Sequence, residues 1–157
     1  MCSSDLAAGI ENTNYFVTTT QGRYVLTLFE RLSAAELPFY LDLMAHLARK
    51  GIPCPLPIEN SAGHALGQLN GKPATLVTRL SGAPEMAPLI EHCRKVGEVL
   101  GRMHVAGRSY AGRQENPRGP VWCETTAPKV ARFLDAEGQR LLESELRSQS
   151  AFSRDRL

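Results

Sequence analysis

Gly9-Ile10-Glu11-Asn12-Thr13-Asn14-Tyr15-Phe16-Val17-Thr18-Thr19-Thr20-Gln21-Gly22-Arg23-Tyr24-Val25-Leu26-Thr27-Leu28-Phe29-Glu30 decides how this chain folds. Asn14–Thr19 and Arg23–Phe29 are short runs rich in β-branched and aromatic residues, and Thr20-Gln21-Gly22 between them is a turn. The stretch therefore reads as a β-hairpin entered through the polar loop Gly9–Asn14. One glycine among small amide and hydroxyl side chains lets such a loop aim several N–H groups at an anion.

Downstream, Ser33-Ala34-Ala35-Glu36 has the spacing of a capping box. Leu37, Tyr40, Leu41, Met44, Leu47 and Ala48 follow as one apolar stripe, and Gly51 and Pro53 stop the helix. Ile52–Ile58 is extended, because each of its prolines pushes the preceding residue out of the α region. A short strand near Ala65–Leu69 turns at Asn70-Gly71, a type I′ signal, into Pro73–Leu80. That return strand is nearly all apolar or β-branched, as a buried central strand is.

The break in composition at Ser81-Gly82-Ala83-Pro84 reads as a boundary, beyond which the pattern turns helical. Pro88–Gly107 places Leu89, Cys93, Val96, Gly97, Leu100, Met103 and His104 on one face. Tyr110–Trp122 is loop, and Asp135 caps a last helix through about Ser148 with Leu141, Leu142 and Leu146 as its apolar residues. The fold class is α+β: a small antiparallel-sheet lobe with one helix, then the first part of a helical lobe.

Bulk properties exclude several classes. The 157 residues carry a net charge of +2 without clustering, which gives no footprint for nucleic acid or an acidic membrane. No apolar run approaches a membrane span, so the expected compartment is cytoplasmic. Cys2, Cys54, Cys93 and Cys123 form no metal-finger spacing, and neither zinc nor a disulfide is expected. Cys93 is expected buried. His104 is expected as a core histidine, and His46 and His92 on surface faces.

The order of elements is that of a protein-kinase-like fold. Ala8–Val17, Tyr24–Glu30, Leu37–Tyr40, Gly71–Ala74 and Asn116–Gly119 resemble the bacterial homoserine kinases of the aminoglycoside-phosphotransferase-like superfamily. The resemblance runs from Ala7 to Leu157. It implies transfer of the ATP γ-phosphoryl to the hydroxyl of L-homoserine, a step towards threonine, with Mg²⁺ as the accompanying metal. It also implies nucleotide contacts from Gly9, Ile10, Glu11, Asn12, Thr13, Asn14 and Thr27, with Thr78, Arg79 and Leu80 offering backbone groups to adenine. Asn116 and Arg118 fall where the family builds its acceptor site, and the alternative for them is a structural Asn-Pro turn with a surface arginine.

Three departures accompany the resemblance. Met1–Leu6 resembles what the end of a sequencing adapter encodes when read in frame from a GTG start. It is expected to be a non-native scar, with natural sequence resuming near Ala7 and the family's first strand missing. The family's His-x-Asp-Leu-x-x-x-Asn catalytic loop is expected beyond Leu157, and no His-x-Asp occurs in the chain. The expectation is thus a fragment truncated at both ends and inactive by itself: scar 1–6, nucleotide-binding lobe 7–81, incomplete helical lobe 82–157. Finally, Thr27 stands where most of the fold carries a phosphate-binding lysine, with Lys72 or Arg79 as candidate substitutes and Glu36 as a cap residue only. The alternatives are another small-molecule kinase of this fold, acting on an aminoglycoside or choline, or a non-catalytic nucleotide-binding module.

Overall fold

The computed structural model describes residues 4–7 and 11–153 in backbone, and the side chains of 11–151. Among the described residues, six strands form one antiparallel sheet. They are β1 (Ser4–Ala7), β2 (Asn12–Thr19), β3 (Gly22–Phe29), β4 (Pro57–Ile58), β5 (Leu66–Leu69) and β6 (Lys72–Thr78). The path runs β1-β2-β3-β6-β4, with β5 also pairing to β6. The β2–β3 hairpin closes Thr19 on Gly22 and runs in unbroken register to Asn12 opposite Phe29. Its Val, Thr, Tyr and Phe content suits a pleated, half-buried surface.

Asn70 (φ 50°) and Gly71 (φ 75°) turn β5 into β6, the two positive φ values that a type I′ turn requires. β6 lies between β3 and β4, with Ala74, Thr75 and Val77 buried. Thr75 is the one buried polar side chain among the described residues, and its hydroxyl donates to the Ala65 carbonyl at 2.8 Å. Leu56 and Thr78 meet twice, through Leu56 N–H to Thr78 Oγ1 and Thr78 N–H to the Leu56 carbonyl, each at 2.9 Å.

Helix α1 (Leu37–Arg49) buries Leu37, Leu41 and Leu47, as its stripe predicts. The cap differs in detail. Glu36 accepts the Ser33 backbone N–H at 2.9 Å as a capping box requires, but the Ser33 hydroxyl donates to the same carboxylate at 2.7 Å. The Glu36 amide bonds the Ser33 carbonyl instead, forming a turn ahead of a helix that begins at Leu37. The far end is a Schellman motif: Ile52 N–H reaches the Leu47 carbonyl, Gly51 N–H reaches Ala48, and Gly51 takes φ 74°. Ile52 is itself buried, completing the hydrophobic contact of that motif.

Two more helices differ from expectation. Helix α2 (Ile90–Gly107) forms, but none of its residues is buried. Val96 is 66% exposed, and Cys93 and His104 lie exposed where a core cysteine and histidine were expected. Helix α3 (Pro120–Ala131) runs through residues read partly as loop. Pro120 is tolerated at its first turn and Pro128 sits inside it, so proline content disguised a helix. Helix α4 (Ala136–Ser153) starts at the Asp135 cap, whose Oδ1 accepts the Gly138 amide at 2.8 Å.

The compact units divide after Arg113, into Met1–Arg113 and Gln114–Leu157, and not at the composition break near Gly82. The reason is local to the first unit. His46 of α1 bonds the Ala106 carbonyl at 3.0 Å, Tyr110 donates to the Phe39 carbonyl at 3.0 Å, and Arg102 donates to Gly51 at 3.1 Å. These contacts tie α2 to α1, and they make His46 half-buried where a surface position was expected. In the second unit α3 and α4 pack around Ala127, Leu142 and Leu146.

A strand stands at the edge where the family's first strand was expected to be lost: Ser4–Ala7, drawn mostly from the expected scar, pairs with Val17–Asn14 of β2. An edge strand is recruited through backbone N–H and C=O groups, which any sequence possesses, so side-chain content did not reveal it. Among the described residues no helix is long and apolar enough to cross a membrane.

Candidate nucleotide site

Alternation along the strands sorts the candidate residues onto two faces. Asn14, Thr27 and Thr75 stand side by side across β2, β3 and β6, since Asn14 pairs with Thr27 and Thr27 with Thr75. The next row on the same face is Phe16, Val25 and Val77. Arg79 closes this face, its guanidinium carbon 3.9 Å from the Phe16 ring centroid. Thr27 Oγ1 donates to Asn14 Oδ1 at 2.8 Å in a half-buried setting.

The opposite face carries Thr13 and Lys72. Thr13 Oγ1 donates to Glu30 Oε1 at 2.8 Å, and Lys72 Nζ meets Glu30 Oε2 at 2.5 Å. The lysine and then the threonine hold the Glu30 carboxyl below the usual carboxylate range. Lys72, read from sequence as a candidate substitute for a lysine at the Thr27 position, therefore projects from the face opposite Thr27. Sequence reading missed this latch. Its signal was parity: Lys72 is an odd number of residues from Thr75, the partner of Thr27.

The other expected positions distribute as follows. Gly9 and Ile10 lie outside the described residues. Glu11 precedes β2 and pairs with Arg31 at 3.7 Å. Asn12 opens β2 opposite Phe29. The Thr78 and Arg79 amides are both engaged, with the Leu56 and Arg23 carbonyls, and Leu80 is exposed. Glu36 bonds only Ser33 among the contacts described for it, and these bonds keep its carboxyl below the usual range.

Asn116 and Arg118 belong to the second unit. Asn116 Oδ1 accepts the Arg118 amide at 3.0 Å and its carbonyl accepts Gly119 N–H at 3.2 Å, an Asx turn leading into α3. Arg118 is exposed. Among the described residues no three His, Cys, Asp or Glu side chains cluster to hold a metal ion.

Residues 4–156 match the phosphotransferase enzyme family. The chain is 57% identical over 152 residues to a homoserine kinase of Methylobacillus flagellatus, an alignment covering 97% of this chain and 48% of that protein. Over 147 residues it is 54% identical to a homoserine kinase of Paraburkholderia phytofirmans, covering 94% and 44%. The chain spans about half the length of the curated relatives it matches. Among solved structures, an amicoumacin kinase in complex with AMP-PNP and Ca²⁺ superposes with TM-score 0.66 at 18% identity, over 98% of this chain and 49% of that one. A spectinomycin phosphotransferase in complex with ADP and spectinomycin gives 0.55 at 14% identity, over 81% and 40%. At such identities these two structures establish the kinase-like fold and nothing finer.

Proposed function

The chain belongs to the phosphotransferase enzyme family, and from that premise we propose that it carries the nucleotide-binding part of an ATP-dependent homoserine kinase. The observation that carries the reading is the sheet face on which the half-buried Phe16 and Val25 offer an apolar bed beside the hydrogen-bonded polar pair Asn14 and Thr27. An adenine ring needs the first and a phosphate chain needs donors like the second. The homoserine kinases of comparable sequence support the acceptor.

In this reading ATP lies across that face, adenine toward the Thr78–Leu80 strand end and phosphates toward Asn14 and the loop before it. The acceptor hydroxyl oxygen attacks the γ-phosphorus, the bond to the β-phosphate oxygen breaks, and the proton passes to a base. Catalysis of this kind is chiefly positioning and charge stabilisation. Magnesium would supply charge neutralisation of the phosphates. The described residues offer no three-ligand set for it, so no step is assigned to them through the metal. A cytoplasmic compartment belongs to the same reading, as the setting that supplies ATP and magnesium together.

Isothermal titration of the chain with magnesium ATP tests the nucleotide half of the proposal, saturable one-to-one binding being expected and its absence overturning it. The acceptor is tested on the longest reading frame that contains the chain, by phosphorus NMR with L-homoserine, choline or an aminoglycoside as sole acceptor. Phosphorylation of homoserine is expected. Turnover of choline or an aminoglycoside with none of homoserine would replace it with the other small-molecule kinase reading.

A further inference from the structure

The sheet face of Thr27 lacks the lysine that this position carries elsewhere in the fold, and Lys72 is latched to Glu30 on the opposite face. The donors on the nucleotide face are therefore neutral at this row. Thr27 Oγ1–H is committed to Asn14 Oδ1 at 2.8 Å. An amide whose carbonyl oxygen is taken in this way presents its NH₂ group on its other side.

Resting on the nucleotide reading above, we propose that Asn14 is the side-chain donor to the ATP phosphates at this position, and that Thr27 is a positioning residue acting through it. Thr27 fixes which end of the Asn14 amide faces the ligand; it does not itself touch the phosphate. The pair replaces a full charge with an oriented dipole, built into neighbouring strands whose register holds the two residues opposite each other. A hydrogen bond to a charged group supplies the affinity, and without Thr27 the amide is free to turn its oxygen toward the phosphate.

Titrations of the full chain with ATP and with adenosine, both in magnesium buffer, test the assignment. Asn14→Asp is expected to weaken ATP roughly tenfold to a hundredfold while leaving adenosine unchanged. Thr27→Val, which keeps the shape and removes the donor, is expected to weaken ATP by a smaller factor, and Thr27→Ser to restore it. In an Asn14→Ala background Thr27→Val is expected to add no further loss. If Asn14→Asp loses adenosine as well, the hairpin is disturbed, and Asn14→Ser takes its place with the same selective loss of ATP expected. The assignment is overturned if neither Asn14 variant selectively weakens ATP. It is equally overturned if Thr27→Val weakens ATP as much in the Asn14→Ala background as in the wild type, since Thr27 would then touch the ligand directly. Wild-type chain that binds no ATP removes the nucleotide reading and this inference with it; binding by wild type with unchanged variants removes this inference alone.

Discussion

The Lys72 ammonium and the Glu30 carboxylate meet at 2.5 Å on the sheet face opposite Thr27. That placement separates two roles a lysine beside a nucleotide site can have. With ATP on the Thr27 face, as proposed, a lysine there would neutralise phosphate, whereas one on the far face fastens β6 to the end of β3. Lys72→Met is therefore expected to leave ATP affinity within about twofold of wild type, as for loss of an exposed ion pair remote from ligand. Titration calorimetry checks this, and a tenfold or larger loss would return Lys72 to the phosphate site.

Acid should weaken the fold through Glu30 and Glu36. Hydrogen bonds from Lys72 and Thr13 hold Glu30 low, and those from the Ser33 hydroxyl and amide hold Glu36 low. A carboxyl whose folded pKa is depressed binds fewer protons folded than unfolded. Its stabilisation is complete above the unfolded carboxylate pKa and disappears as pH falls through the folded value. Urea midpoints followed from neutral pH downward are expected to decline through and below the ordinary carboxylate range. Glu30→Gln and Glu36→Gln should each flatten that decline; slopes identical to wild type would show that these carboxyls do not contribute.

How much of this was readable beforehand depended on whether the signal was local. The β2–β3 hairpin, the Asn70-Gly71 turn and the α1 stripe with its glycine stop are written in neighbouring residues, and all three formed, with β2 starting at Asn12, two residues inside the expected entry loop. Periodicity also located the apolar face of α2, but periodicity says nothing about what covers a face, so Cys93 and His104 were misplaced indoors. The β1 pairing and the α1–α2 joint at His46 and Tyr110 depend on backbone edges and distant partners. The Thr13–Glu30–Lys72 latch was closer to legible, needing only strand parity once the register was fixed.

The Schellman motif closing α1 rests on the left-handed conformation of Gly51 at φ 74°. No atom lies within 4 Å of where a Cβ would sit, so the penalty of a side chain is conformational and not steric crowding. Gly51→Ala is expected to lower unfolding free energy by about 1–2 kcal/mol. Urea denaturation at neutral pH measures it, and an unchanged midpoint would mean that the helix end adopts another cap at no cost.

Leu37 is 0% exposed at the first turn of α1, the most completely buried large side chain of those described. Leu37→Ala leaves a cavity at the start of the helix and is expected to cost about 2–5 kcal/mol. Against a typical total of about 5–15 kcal/mol, that is a large fraction. A markedly lower thermal midpoint, or loss of the cooperative transition, is the expected result. Leu37→Met, which conserves volume, should retain most of the stability.

Val96 and Leu100 lie one helical turn apart on α2, 66% and 47% exposed, with Leu89 at 66% beyond them. Exposed apolar side chains at this spacing form a continuous stripe, and stripes of this kind drive association in water. The isolated chain is expected to self-associate at micromolar concentration, seen by sedimentation velocity. Because both side chains already face solvent, Val96→Glu with Leu100→Glu is expected to shift the population toward monomer with little change in thermal midpoint, surface substitutions commonly falling within about 0.5 kcal/mol. An association unaffected by the double change would move the cause to another surface, of which Phe133, 75% exposed, is the next to test.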